Sequence, residues 1–431
     1  MKYLAKQTLA VIALIFALAA PLQASPVKLD IYGPGQRILN LAMADPLGKT
    51  SSTSNELNAL ITENLSFLPF IRTIPPAGIM GGARLNGFKS PDVDFNRFKM
   101  AGADLLVTTG WVGGDTVELR VYEPNTGQLV FGKAYSDVNS RYAARVADRF
   151  CSELMKALTG RGEFFLSTLA FVKTNGQNGN IWTVRPTGRE LTQITNLNGI
   201  CMSPAWSPDG RFILFTHIDD RTHALGVWDR INRKTQRVKF PGNTIIGPTF
   251  FPNNEVAVGL AMKNYPDIYR LDHAFKRKGV IESSGGIDVS PSIDATGTKM
   301  AFTSSRLGNP HIFLKDLNTG SVRRISEEGN YNTEPSISPD GTLVAFSRMM
   351  GGGHRIFVHD ILTGEETQVS FGPGSDEQPS FCPDSYFLAF VSSRSGTKQI
   401  YLTTRHGGPA KRVPTGPGNV TFPAWGMVPE K

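Results

Sequence analysis

The sequence predicts a multidomain chain in which a small N-terminal α/β domain precedes a six-bladed β-propeller closed by the C-terminal strand. Three observations predict it. One pattern returns about every 44 residues from residue 164 onward; residues 27–160 lack that period; and the last copy stops where the first lacks its opening strand.

The chain opens with a segment of its own composition. "MKYLAKQ" is basic, "TLAVIALIFALAA" is an apolar run, and "PLQA" ends on a small residue before Ser25. That order is the n-region, h-region and cleavage site of a secretory signal over residues 1–24, and the run is short for a bilayer span. The alternative is an N-terminal membrane anchor. No Cys follows the run, so lipid attachment there is not expected, and the mature protein is expected to be soluble and exported.

At 431 residues the chain exceeds one ordinary core, and 19% charged residues with 44 Gly and 28 Pro describe a turn-rich folded protein. Removing Lys2 and Lys6 takes the formal +8 to about +6. The basic residues are scattered, with short clusters such as Lys276-Arg277-Lys278 and no basic block interleaved with aromatics, which argues against nucleic-acid binding. Cys151, Cys201 and Cys382 are odd in number, far apart and fit no metal spacing. They read as buried free thiols, with a Cys201–Cys382 bridge as the alternative.

Residues 25–160 form the predicted α/β domain. "VKLDIY" (27–32) is strand-like, and 25–35 is an extended segment. Ser and Thr caps precede a helix that puts Leu57, Leu60, Ile61 and Leu65 on one face. "ADLLVTTGWV", "TVELRVYE" and "QLVFGKAYS" are strands. A second helix carries Tyr142, Val146, Phe150, Leu154 and Leu158 at steps of four and stops at Gly160. "RGEFF" (161–165) joins this domain to the ring.

The propeller, 164–426, rests on three tracks in step. Pro204, Pro248, Pro291, Pro335, Pro379 and Pro423 are spaced 44, 43, 44, 44 and 44 residues apart. Apolar runs such as "ILFTH" at 213 and "VAFSR" at 344 follow each Pro, and runs such as "IFLK" at 312 and "IYLT" at 400 follow those. Four strands per repeat, reversed by turns such as Ser-Pro-Asp-Gly and Asn-Thr-Gly, are the arithmetic of a propeller blade. The first blade begins at "LAFVK" (169) without its first strand, and the chain ends with an orphan first strand, "VTFPAW" (420–425). The tail is therefore expected to complete the first blade and remove the free sheet edge.

No Gly-x-Ser-x-Gly elbow, His-Glu-x-x-His or Walker loop occurs, and "GPGQR" lacks the third Gly of a dinucleotide site. His217, His223 and His354 read as exposed loop residues. Residues just before each Pro should lie at the channel mouth. Asp288, Glu334 and Asp376 stand at odd offsets before their Pro and so should share a strand face, with Glu377 beside them, while Ser203, Gly247 and Phe422 are neutral. Such a half-ring reads three ways: a negative patch for a partner, a Ca²⁺ site of a lactonase-like channel-metal hydrolase, or solvated loop carboxylates.

The signal, the α/β domain and six "PxWSPDG…IAFTS…IY" blades together resemble the TolB family of the Tol–Pal system, over the whole length and in domain order. "IDATG" (293–297) and "FFPNN" (250–254) depart from the blade motif. The family's Thr-Glu-Pro before an inner strand matches "NTEP" (332–335), one blade later than usual, where the usual place reads "DVSP" (288–291). The resemblance implies a monomeric, non-catalytic periplasmic adaptor without cofactor that supports outer-membrane integrity and constriction at division. Its propeller mouth would bind the lipoprotein Pal through Ser203, Gly247, Asp288, Ser290, Thr333, Glu334, Asp376 and Glu377. Its first mature residues, including Val27, Lys28, Leu29, Asp30, Ile31 and Tyr32, would engage TolA. Alternating Val27, Leu29 and Ile31 suit strand addition to a partner's sheet edge, or pairing within the chain's own domain.

Overall fold

A computed structural model describes residues 30, 37–48, 52–220, 222–242, 244–262 and 264–428. Of the predicted TolA segment, Val27, Lys28, Leu29, Ile31 and Tyr32 lie outside these residues; Asp30 is described and exposed.

The N-terminal unit is a five-stranded mixed sheet with helices. Strands β1 (Leu39–Met43), β2 (Ile71–Ile74), β3 (Leu105–Gly113), β4 (Thr116–Glu123) and β5 (Gln128–Tyr135) lie in the order β2-β1-β3-β4-β5. β1 runs parallel to both neighbours, and β3, β4 and β5 form an antiparallel meander. Helix α1 (Ser52–Leu65) buries Leu57, Ile61 and Leu65, as its periodicity requires. The short α2 (Phe95–Met100) is capped by the Asp94 carboxylate, which accepts the Asn96 N–H. Helix α3 (Ala143–Thr159) buries Val146, Phe150, Leu154 and Leu158 and ends at Gly160, whose φ of 81° is the left-handed cap a glycine supplies. Tyr142 departs from the expected stripe, because it is the residue before the helix and stays exposed.

Among the described residues, 24 further strands pair in six groups of four. The inner strands are Asn419–Met427, Ile200–Trp206, Ile245–Phe250, Asp288–Ile293, Asn332–Ile337 and Asp376–Phe381, for blades one to six. Blades one and two are also tied by a single parallel bridge between Gly179 and Ile200. The inner strands neighbour one another around a circle. The tail strand pairs from Asn419↔Thr174 to Met427↔Ser167, so the two ends of the ring share one blade and leave no open edge between them.

The turns follow the residues that specify them. Gly210 and Gly341 of the Ser-Pro-Asp-Gly turns have φ of 65° and 67°. Where the motif departs, Asn254 (φ 63°) and Ser385 (φ 60°) take that left-handed place, while Gly297 (φ 69°) keeps it in "IDATG".

Each inner strand runs from one face of the ring, here the entry face, to the exit face, where it turns into the second strand. The N-terminal unit packs on the exit face of blades one and six. Phe70 meets Tyr386 edge-on at 6.1 Å between centroids, Lys411 donates to the Ser66 carbonyl at 3.0 Å, and Arg189 donates to Asn64 at 2.7 Å and to Asp148. The "RGEFF" junction is more than a tether. It forms the short helix α4 (Glu163–Leu166), and fully buried Phe164 stacks 4.1 Å from Phe387. One apolar core therefore runs from the N-terminal sheet into blades one and six.

Candidate functional site

The residue immediately before each track proline sets the channel. Ser203, Gly247, Ser290, Glu334, Gln378 and Phe422 all have positive φ, between 49° and 58°. At this point each inner strand slips by one residue against the second strand of its blade, a bulge that re-aims the side chains. The glycine at 247 is required by space as well: a Cβ there would stand 2.8 Å from the Ser290 Cα. The six residues and their prolines line a cavity of about 460 Å³ on the ring axis.

The bulge overturns the expectation that Asp288, Glu334 and Asp376 share a face. Alternation would put positions one and three before the proline on the same side, but the extra residue breaks it. Position three is buried in all six blades: Cys201, Ile245, Asp288, Asn332, Asp376 and Val420. Asp288 and Asp376 are therefore blade-core groups. Arg306 bonds Asp288 at 3.1 Å, and Arg394 bonds both oxygens of Asp376 at 3.0 and 3.1 Å. In blade five Asn332 holds the same place and accepts from Arg348 Nε at 2.9 Å. Each arginine lies over two rings of its own blade: Phe302 and Phe313, Phe346 and Phe357, Phe390 and Tyr401. These pairs fasten blades four to six from inside.

Glu334 remains as the carboxylate among the residues lining the channel. It accepts the Gln378 N–H at 3.1 Å and the Ser347 hydroxyl at 3.2 Å, and Gln378 Oε1 in turn accepts the Phe422 N–H at 2.8 Å. Ser292 and Ser336 hydroxyls accept the N–H of Ile337 and Phe381 in the next blade, both at 3.0 Å, so hydrogen bonds chain the inner strands of blades four to six. Burial pushes the Glu334 carboxyl above its ordinary value, with Glu377 nearby adding to the rise and the Gln378 and Ser347 bonds opposing it. Burial also acts upward on Glu377, but bonds from Ser375 and Lys398 outweigh it and hold that carboxyl below its ordinary value.

Of the residues read as a mouth from the sequence, Ser203, Gly247, Ser290 and Glu334 line the channel. Thr333 and Glu377 sit one step out and are half-exposed, while Asp288 and Asp376 face away into their blades. Sequence reasoning passed over Gln378, which the position before Pro379 would have supplied, and over the three arginines, each of which follows a Ser in the last part of a second strand or just past its end. His217 also departs from expectation: it is buried, with Nε2 2.8 Å from the Asn198 carbonyl. The three cysteines are free and buried.

A Ca²⁺ reading needed several carboxylates on one face, and the ion pairs of Asp288 and Asp376 remove two of the three from the wall. Among the described residues no group of three or more His, Cys, Asp or Glu is placed to hold a metal. The wall offers prolines, apolar side chains such as Ile246, Phe422 and Trp425, hydroxyls, one amide and one carboxylate, a surface of mixed polarity that can receive a protruding segment of a partner. Around it, the entry face exposes Ile200, Tyr265, Ile287, Leu307, Tyr331, Met349, Met350 and Phe371.

Comparisons with known proteins agree with this geometry. A protein-family model described as the TolB beta propeller domain matches residues 155–429. The Tol-Pal system protein TolB of Nitratidesulfovibrio vulgaris is 62% identical over 308 residues, 69% of this chain and 70% of that protein. A protein TolB homolog of Chlorobium luteolum is 32% identical over 323 residues, 72% of this chain and 73% of that one. In fold, the crystal structure of TolB from Acinetobacter baumannii superposes with a TM-score of 0.79 at 21% identity, covering 93% of this chain and 99% of the other. With a family model over its ring and a close relative over two thirds of its length, the chain belongs to the TolB family.

Proposed function

We propose that this chain is a periplasmic adaptor of the Tol–Pal system that binds the lipoprotein Pal at the entry face of its ring and TolA through residues 25–35. By coupling an inner-membrane complex to an outer-membrane lipoprotein, it supports outer-membrane integrity and constriction at division. The observation that carries this reading is the division of labour between the two faces of the ring. The exit face carries the chain's own N-terminal unit over blades one and six, whereas the entry face exposes apolar side chains around the channel. A ring with a second unit docked on one side and an exposed apolar rim on the other suits a protein that grips a partner on one side and responds through the unit on the other. Among the described residues, no helix is long and apolar enough to cross a membrane.

One substitution and one deletion test the proposal. Glu334→Lys places a cation where the channel carboxylate stands, and it should weaken Pal binding while leaving the fold intact; unchanged Pal affinity moves the interface off the channel. Removing Ser25–Tyr32 from the mature chain should abolish TolA binding and leave Pal binding in place. TolA binding that persists after that deletion defeats the N-terminal assignment.

A further inference from the structure

We infer that the long hairpin of blade five is the anchor point of the entry face, where a protein partner seats an apolar side chain flanked by a cationic group. The inference rests on the reading that a protein occupies this face. The second and third strands of blade five, Leu343–Met350 and Gly353–Asp360, have eight residues each, where those of blades three, four and six have six, those of blade two seven, and those of blade one nine and seven. Two more residues per strand lift the turn roughly 7 Å beyond those of blades three, four and six.

The extension carries a specific surface. Met349 and Met350 are 49% and 45% exposed, and beside them stand Tyr331 at 39% and Phe371 at 59%. The Met349 N–H donates to the Tyr331 carbonyl at 2.9 Å, and the Tyr331 ring lies edge-on to His354 at 6.1 Å. The loop bearing Phe371 is latched to the same hairpin, because the Arg355 guanidinium donates to the carbonyls of Gly372 and Gly374 at 2.7 and 2.6 Å. The base is thus fixed, while the tip is open: a Cβ added at Gly351 or Gly352 would meet nothing within 4 Å. Methionines adapt to irregular apolar surfaces, and aromatic side chains supply rigid contact area.

Charge decides what kind of partner fits. Glu327 and Glu328 are exposed in the loop leading to Tyr331, and Glu377 and the channel's Glu334 lie at the same corner. The neighbouring cations are engaged: Arg348 is buried against Glu366 and stands 3.6 Å from the outward-facing Glu328, and Lys398 bonds Glu377 at 3.0 Å. Arg355 and Arg324 donate to backbone carbonyls, so Glu327 and Glu328 stand exposed on the outer rim. An apolar patch rimmed by carboxylates selects an apolar anchor next to Lys or Arg.

The test is titration calorimetry with the purified periplasmic domain of Pal against wild type, a Met349→Ser/Met350→Ser variant, and a Met349→Leu/Met350→Leu variant of the full mature chain. The serine variant should bind at least about tenfold more weakly and the leucine variant within about threefold of wild type, with wild-type affinity falling as salt rises. Wild-type affinity in the serine variant overturns the anchor and leaves the adaptor reading standing. A wild-type chain that binds no Pal overturns both. Self-association of the wild type that the serine pair abolishes, seen by sedimentation, overturns the inference in favour of a second copy as the occupant.

Discussion

Replacing Asp376 by Ala separates a blade-core carboxylate from a partner-binding one. In the folded protein Asp376 is fully buried and takes two hydrogen bonds from Arg394, whose side chain is 17% exposed and lies over Phe390 and Tyr401. Removing the carboxylate leaves a guanidinium enclosed by blade six without its charged acceptor. Breaking a buried pair from one side destabilises by about 3–5 kcal/mol, and the residual water access of Arg394 places this case at the lower end, about 3 kcal/mol. In a protein of this size that corresponds to roughly 2 °C per kcal/mol, a fall in melting temperature of about 6 °C. Asp376→Asn keeps an acceptor and should lose about half as much. Thermal unfolding followed by near-ultraviolet circular dichroism, paired with Pal titration below the transition, reads both effects. An Asp376→Ala protein that melts with the wild type yet no longer binds Pal refutes the placement of this residue in the blade core.

The joint between the two units and the buried acid beneath it give further expectations. Phe164→Ala should destabilise by about 3–5 kcal/mol and expose both the N-terminal unit and blade six to limited proteolysis, because its ring is fully buried against Phe387 and Trp425; cleavage confined to one unit would contradict the shared core. Asp384 sits fully buried in the turn of blade six, where burial raises its carboxyl from 3.8 to about 6 against bonds from the Tyr386 and Phe387 N–H groups. The folded state therefore holds this proton to higher pH than the unfolded chain does. The resulting stability is fully present below about pH 4 and is lost as pH rises through about 6. Urea unfolding at pH 5 and 7.5 should show that component in the wild type and not in Asp384→Asn; equal pH dependence in the two proteins would contradict it.

The fold was legible in the sequence wherever one residue type fixed one conformation. The proline track and its Asp-Gly turns set the repeat, and the orphan "VTFPAW" strand implied the closure seen between Asn419–Met427 and Ser167–Asn175. Strands β1 and β2 were harder to see, since short strands in parallel contact carry no polar alternation. The site was half-legible. Counting back from each proline finds the channel residues, but simple alternation assigns Asp288 and Asp376 to the wrong face, because one extra residue in the left-handed region reverses every side chain before it. The rings flanking Arg306, Arg348 and Arg394 come from separate strands, and the pairing of the blade alone brings them over the guanidinium.

The most direct measurement is thiol labelling at Ser290→Cys, the position before Pro291, in full-length mature protein with and without Pal. All three native cysteines are buried, so labelling of the folded chain reports on the new thiol. The expected result is ready labelling in the free protein and strong protection once the Pal domain is bound. A thiol at 290 that reacts no faster than the buried native cysteines contradicts the channel geometry, and one that Pal leaves equally reactive contradicts the channel as the place where the partner is held.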